Sequence, residues 1–166
     1  VGRRAGRAGS DLVRSRRAAR RLALAALFEA EFGQRTAGAI LERHIAETEG
    51  DPETARYARL LVGETVARRV AIDARIEAAA PQYPVVTLAR MDRVLLRAGI
   101  CEVLHSPATP ARVAIAEWVE LARVYGGDPA RRLVNGVLGR VARELPAGAD
   151  HPPPDPRSTA VPDAQE

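Results

Sequence analysis

An all-α fold, a compact bundle of about six to seven helices, is what this sequence predicts, and three observations predict it. The interior has no run of alternating apolar and polar residues, few β-branched clusters outside Val85-Val86-Thr87, and a dense supply of the helix formers Ala, Leu, Arg and Glu. At 166 residues the chain fits one domain, which can bury roughly two-thirds of its unfolded surface without a disulfide or metal. Composition sets the ends. Residues 1–10, rich in Gly, Arg and Ala, are expected to form a disordered basic leader. Residues 146–166, with the run Pro152-Pro153-Pro154, are expected to form a disordered tail. The helical domain then spans 11–145.

Punctuation and periodicity divide that domain. A first helix over 11–32 stops at Gly33, and a second over 37–47 closes at Gly50-Asp51-Pro52. The third is read as one long helix over 53–80, ending before Pro81, with Tyr57, Leu60, Leu61, Val66, Val70 and Ile76 as its apolar stripe. A fourth starts after Thr87, taken as its N-cap, and carries Leu88, Met91, Leu95, Ala98 and Val103 inward as far as about His105. Pro107 and Pro110 bracket a turn. The fifth covers 111–124, with Val113, Trp118, Leu121 and Ala122 as buried candidates, and ends at Gly126-Gly127. The sixth opens with Asp128 as N-cap and Pro129 at the first helical position, where its missing N–H costs nothing, and runs to about 144.

Several function classes find no support. Cys101 is the only cysteine, so no disulfide can form within the chain, and a helical setting among apolar neighbours makes an inert thiol the expectation. His44, His105 and His151 have no metal-ligand spacing, and Gly126-Gly127 lacks the context of a phosphate loop. No cofactor and no catalytic site are expected. No apolar run approaches the roughly 20 residues that span a bilayer, and the basic start lacks a secretory pattern, so a cytoplasmic setting is expected.

Charge is unevenly spread. All 25 basic residues are arginines. Residues 1–21 hold eight of them against Asp11 alone, a balance of +7, whereas the remainder holds 17 against 20 acids, a balance of −3. A basic head on a mildly acidic body is the footprint of a nucleic-acid binder, and a basic segment of no consequence has the same composition. Steps of 100° per helical residue put Arg16, Arg17, Arg20 and Arg21 in one broad sector, which Leu24, Leu27 and Phe28 continue. One face thus passes from basic to apolar. The apolar part must enter the core, so the arginines are expected to project at its edge, where guanidinium forks can grip phosphates in pairs. A frayed, solvated helix end fits the charge equally well.

Three strings are specific. The first is Arg16-Arg17-Ala18-Ala19-Arg20-Arg21-Leu22-Ala23-Leu24-Ala25-Ala26-Leu27-Phe28, an arginine-rich opening that runs into an apolar helix. The second is Asp92-Arg93-Val94-Leu95-Leu96-Arg97 followed by Glu102-Val103-Leu104. The most specific is Pro110 to Gly126, containing Glu117-Trp118-Val119-Glu120-Leu121-Ala122, succeeded by Leu133-Val134-Asn135-Gly136-Val137-Leu138. Through these strings the chain resembles the NusB family over Arg16 to Glu144, with Phe28 where the family often has tyrosine.

The resemblance implies a transcription antitermination factor that binds single-stranded boxA RNA of nascent ribosomal transcripts, together with the ribosomal protein NusE, within an RNA polymerase complex. It implies RNA contacts at Arg16, Arg17, Arg20 and Arg21; Phe28 and Tyr57 are the nearest aromatics for base stacking, although such residues on a helical stripe are more often core. It also places the loop around Asp128 and Leu133 near the RNA surface, where the sequence itself offers a second basic edge, Arg131 and Arg132, beside helix N-terminal amides that can bind phosphate. Asp92 and Glu102 resemble acidic partner-binding positions, and a homodimer is a further possibility. Two other readings stand beside this one. The first is the RNA-anchoring domain of a ribosomal RNA methyltransferase, for which the tail after 145 leaves little room. The second is a helical scaffold that binds protein only.

Overall fold

The computed structural model describes residues 2–146, with side chains from Gly6 onward. Among these residues there are six α-helices and no strand: α1 (Gly2–Ala30), α2 (Ala37–Glu47), α3 (Pro52–Ala67), α4 (Arg69–Ala79), α5 (Arg90–His105) and α6 (Ala111–Arg143), with a short 3-10 turn at Val85–Thr87. The tail expected over 146–166 lies outside the described residues apart from Pro146.

Helix α1 reaches back to Gly2, so residues 2–10, expected to belong to a disordered leader, are helical. Extending an existing helix needs no new nucleus, and residues 2–10 hold no proline to stop it. Ala19, Ala23, Leu24, Ala26 and Leu27 form its buried face, and Gly33 ends the segment with φ 76°, a left-handed conformation natural to glycine. In α2 the Thr36 hydroxyl accepts from the Ala39 amide at 3.2 Å. Asp51 caps α3 by accepting from the Thr54 amide at 2.9 Å, with Pro52 at the first turn. The Ser15 hydroxyl donates to the same Asp51 carboxylate at 3.0 Å, which ties α1 to the start of α3.

The single helix expected over 53–80 is broken at Arg68, whose φ of −104° and ψ of 11° are not helical. The buried stripe Thr54, Tyr57, Ala58, Leu61, Thr65 resumes in phase as Ile72, Ile76 and Ala79, so spacing alone shows no interruption. The bend is a tertiary requirement: α3 packs on α1 and α2, and α4 turns onto α5 and α6. Leu60, Val66 and Val70, assigned to the stripe on sequence, are exposed, since they sit roughly 110–150° round the helix from its centre. Val113 is likewise more than a third exposed.

Thr87 does not cap α5. Its hydroxyl donates to the Pro84 carbonyl within the 3-10 turn, and α5 starts three residues later. The two helices expected on either side of Gly126-Gly127 are present as two arms of α6, separated at Gly127, where φ 72° and ψ −163° interrupt the helix. Helices α5 and α6 share the most extensive interface in the bundle. There Gly99 brings α5 so close that a Cβ would lie 2.9 Å from a Leu138 methyl and 3.3 Å from Trp118. Trp118, Tyr57, Leu24, Leu95 and Leu138 are among the largest fully buried side chains of a core built from all six helices.

Candidate functional site

Folding divides the four arginines of the basic opening into two pairs. Arg20 points into the bundle and is only 3% exposed. Its Nε lies 2.9 Å from one Glu102 oxygen and its Nη2 2.6 Å from the other. Glu102 is fully buried and also accepts from the Tyr57 hydroxyl at 2.7 Å and the Trp118 indole N–H at 2.6 Å. Tyr57 is bonded onward to Ser106 and Thr109, both at 2.9 Å. Burial opposes the Arg20 charge, but the Glu102 carboxylate outweighs it and holds the guanidinium above its ordinary pKa. Burial, reinforced by the Glu102 charge, pushes the Tyr57 phenol up. This polar knot joins α1, α3, α5 and α6.

Two expectations are corrected by it. Arg20 is held inward by Glu102 instead of projecting, so only its margin reaches the cleft wall beside Arg17 and Arg21, and Glu102, fully buried and bonded to Arg20, Tyr57 and Trp118, presents no surface to a protein partner. The sequence concealed this because a charged pair far apart along the chain carries no periodicity.

Arg16 is half enclosed. Its Nη1 donates to the Ala108 carbonyl at 3.1 Å and its guanidinium lies 5.1 Å from the centre of the Tyr57 ring. Arg17 and Arg21 face outward. Arg17 Nε is 3.0 Å and 3.1 Å from the two Glu117 oxygens, and Arg21 has no ion pair among the described residues. Two adjoining clefts share this outer pair. One runs along α1 past Gly9, Val13 and Arg14. The other lies between α1 and the first arm of α6, bounded by Glu117, Glu120, Val124 and Tyr125.

The stacking candidates change accordingly. Tyr57 is core. Phe28 is half-buried and packs edge-to-face with Phe32, ring centres 5.4 Å apart, and the Arg90 guanidinium lies 4.8 Å from the centre of the Phe32 ring. Twelve residues along α1, Phe28 stands roughly 18 Å from Arg16. Tyr125 is the exposed aromatic beside the arginines, and sequence reading passed over it because no local pattern marks a helix-end tyrosine as exposed.

The second basic edge is held by its own acid. Asp128 accepts from Arg131 Nε at 2.8 Å and is ion-paired with Arg132 at 2.7 Å, and these contacts, the Arg131 hydrogen bond first, lower its pKa. Arg132 and Leu133 border a third cleft that also contains Asp92, Tyr83 and Arg140. Burial pushes the Asp92 carboxyl up, with no compensating partner among the described residues. Asp92 thus comes together with Arg132 and Leu133 and is separate from the Arg17–Arg21 clefts. No group of three or more His, Cys, Asp or Glu among the described residues could hold a metal, and no described helix is long and apolar enough to cross a membrane.

The family model for NusB matches residues 17–143. The chain belongs to the NusB family. Among curated relatives it is 37% identical over 134 residues to a transcription antitermination protein NusB of Dehalococcoides mccartyi, covering 81% of this chain and 94% of that one. It is 39% identical over 146 residues to the Symbiobacterium thermophilum protein of the same name, covering 82% and 95%. Among solved structures, NusB of T. maritima superposes with a TM-score of 0.73 at 31% identity, covering 83% of this chain and 93% of that one. A structure of the antitermination factors NusB and NusE in complex with double-stranded RNA shares the fold, with a TM-score of 0.73 at 24% identity, over 80% and 98%. The all-α NusB architecture is thereby established, and its Arg20–Glu102 knot links segments that the family match spans.

Proposed function

We propose that this protein is an antitermination factor that binds single-stranded boxA-type RNA of nascent ribosomal transcripts together with NusE, and that it acts in the cytoplasm by binding alone. The observation that carries this reading is the outward pair Arg17 and Arg21 on α1, flanked by two clefts, in a chain of the NusB family. Guanidinium forks on an exposed helix face suit phosphate oxygens, and their neutralisation releases counterions. Arg16 supports the arm through Tyr57 and the Ala108 carbonyl.

Asp128, Arg131, Arg132 and Leu133 form a second RNA edge in this reading, with the exposed Arg132 as its freest cation. Asp92, unpartnered in its cleft, is the acidic contact for NusE. The composite surface raises affinity because the partner adds phosphate contacts at high effective concentration. That the curated relatives it matches are named as antitermination proteins favours this over a methyltransferase's anchoring domain.

The test is binding of a short boxA-type RNA and a scrambled control, with and without NusE, by the native protein and an Arg17→Ala/Arg21→Ala variant. Arg20 is left intact because its loss would damage the core. Selective binding that NusE strengthens and the variant loses supports the reading. A variant that binds as the native protein does would move the RNA elsewhere. Salt separates RNA binding from a protein-only scaffold, since each phosphate contact on a single strand contributes roughly 0.7 to the slope of log affinity against log salt.

A further inference from the structure

The cleft between α1 and the first arm of α6 has chemistry beyond phosphate binding, and its use depends on the RNA-binding function proposed for the chain. Its volume of about 550 Å³ falls in the range of roughly 300–1,000 Å³ typical of small-ligand sites. Tyr125, 49% exposed, and Val124, 60% exposed, form an apolar flank. Arg17 and Arg21 stand on the α1 wall, and the carboxylates of Glu117 and Glu120 on the α6 wall.

Glu117 is fully engaged, holding Arg17 through both oxygens and lying 3.7 Å from Arg20 Nη1. Glu120 is bound only to Arg123, three residues on, in an exposed pair that costs little to open. Arg21 has no ion pair among the described residues. The cleft therefore offers an aromatic face, an uncommitted guanidinium fork on one wall and an accessible carboxylate on the other.

We infer that this cleft is a nucleobase pocket that takes one unpaired guanine of the bound RNA strand, stacked on Tyr125 and read by Arg21 and Glu120. Guanine is the base that matches both walls. Its O6 and N7 accept from a guanidinium fork, and its adjacent N1–H and N2–H donate to the two oxygens of a carboxylate. Adenine, cytosine and uracil each place an acceptor beside the donor that a carboxylate would take. Continuity favours a base within a strand over a free nucleotide: Arg17 and Arg21 also line the neighbouring cleft along α1, which gives the adjoining backbone a cationic track.

The experiment is fluorescence anisotropy at low salt with labelled short uridine oligomers carrying one central guanosine, inosine or adenosine, and an all-uridine control, with free GMP as competitor. The native protein should prefer the guanosine oligomer, with inosine, which lacks the N2 amino group, and adenosine both weaker. Tyr125→Leu should weaken that binding about 5- to 150-fold, the usual worth of one stacked base, and Tyr125→Phe should retain it. Glu120→Gln should erase the guanosine preference, so that the guanosine and all-uridine oligomers bind that variant alike. Both side chains are exposed, so unchanged melting temperatures exclude misfolding as the cause.

If the native protein binds RNA and Arg21→Ala weakens it, but Tyr125→Leu binds like native or no guanosine preference exists, the pocket is refuted and the RNA function stands. GMP binding more tightly than the guanosine oligomer would overturn the strand as the source of the base. Failure of the native protein to bind any RNA, with or without NusE, overturns the function itself and this inference with it.

Discussion

Replacing Glu102 by glutamine changes the side chain's shape hardly at all and tests what the polar knot contributes. The carboxylate takes Arg20 Nη2 and the Tyr57 hydroxyl on one oxygen, and Arg20 Nε and the Trp118 indole on the other. The amide has only one acceptor oxygen. Its least costly setting keeps that oxygen toward Trp118 and Arg20 Nε, while Tyr57 rotates to accept from the NH₂ and donates to Ser106 or Thr109. Arg20 Nη2 then meets another donor, and its charge, 3% exposed, has lost its counterion.

Removing one partner of a buried pair costs roughly 3–5 kcal/mol. The Glu117 carboxylate 3.7 Å from Arg20 Nη1 offsets part of this, which puts Glu102→Gln at about 3 kcal/mol. At roughly 3–4 °C per kcal/mol for a chain of this size, the melting temperature should fall by about 10 °C in calorimetry. In a double-mutant cycle, Arg20→Met with Glu102→Leu should be far less damaging than the two single changes added together. A fall of only about 1–2 °C for Glu102→Gln, or simple additivity in the cycle, would refute the account of Glu102 as the buried counterion of Arg20.

Individual sites carry further expected outcomes. Gly127→Ala should cost about 1–3 kcal/mol through backbone strain alone, because φ 72° and ψ −163° suit only glycine and a Cβ there would have ordinary contacts. Calorimetry should show it. Gly126→Ala should also destabilise, for the different reason that its Cβ would fall 2.5 Å from that of Ala130. The Thr54 amide, followed by the Thr54 and Ser15 hydroxyls, holds the Asp51 carboxyl below the usual aspartate range. Its contribution is therefore present above the unfolded value near pH 4 and lost as pH falls through the folded value. Melting temperatures measured between about pH 5 and pH 2 should drop less in Asp51→Asn than in the native protein. Burial raises the Cys101 thiol pKa, so a thiol reagent at about pH 8 should react slowly with the native protein and rapidly in denaturant.

Local chemistry was enough for the all-α class, the bounds of α2, the start of α3 close to Glu53 and the glycine pair that divides α6. Each is written in a short stretch of chain: a 3.6-residue period, a Gly-Asp-Pro break between helices, a glycine where φ must be positive. The family was legible too, because the strings from Pro110 to Leu138 and from Arg17 to Phe28 are recognisable despite departures such as Phe28, and the family model spans both. The same local rules placed four arginines in one sector of α1, and there their reach ended.

Which of those arginines faces water was settled by long-range packing. Arg20 and Arg17 differ by about 60° around α1, and what sends one inward is a carboxylate 82 residues away. The same holds for the break at Arg68, where the apolar stripe runs on unbroken and only packing on α5 and α6 demands a bend. It holds for Tyr57 and Tyr125 as well, identical in chemistry, one fully buried and the other half in solvent beside Arg17 and Arg21. Periodicity records which side of a helix is apolar. Whether a polar group on the margin of that side is enclosed depends on the partner that tertiary packing brings to it, because burial of a charge is tolerable only where such a partner arrives.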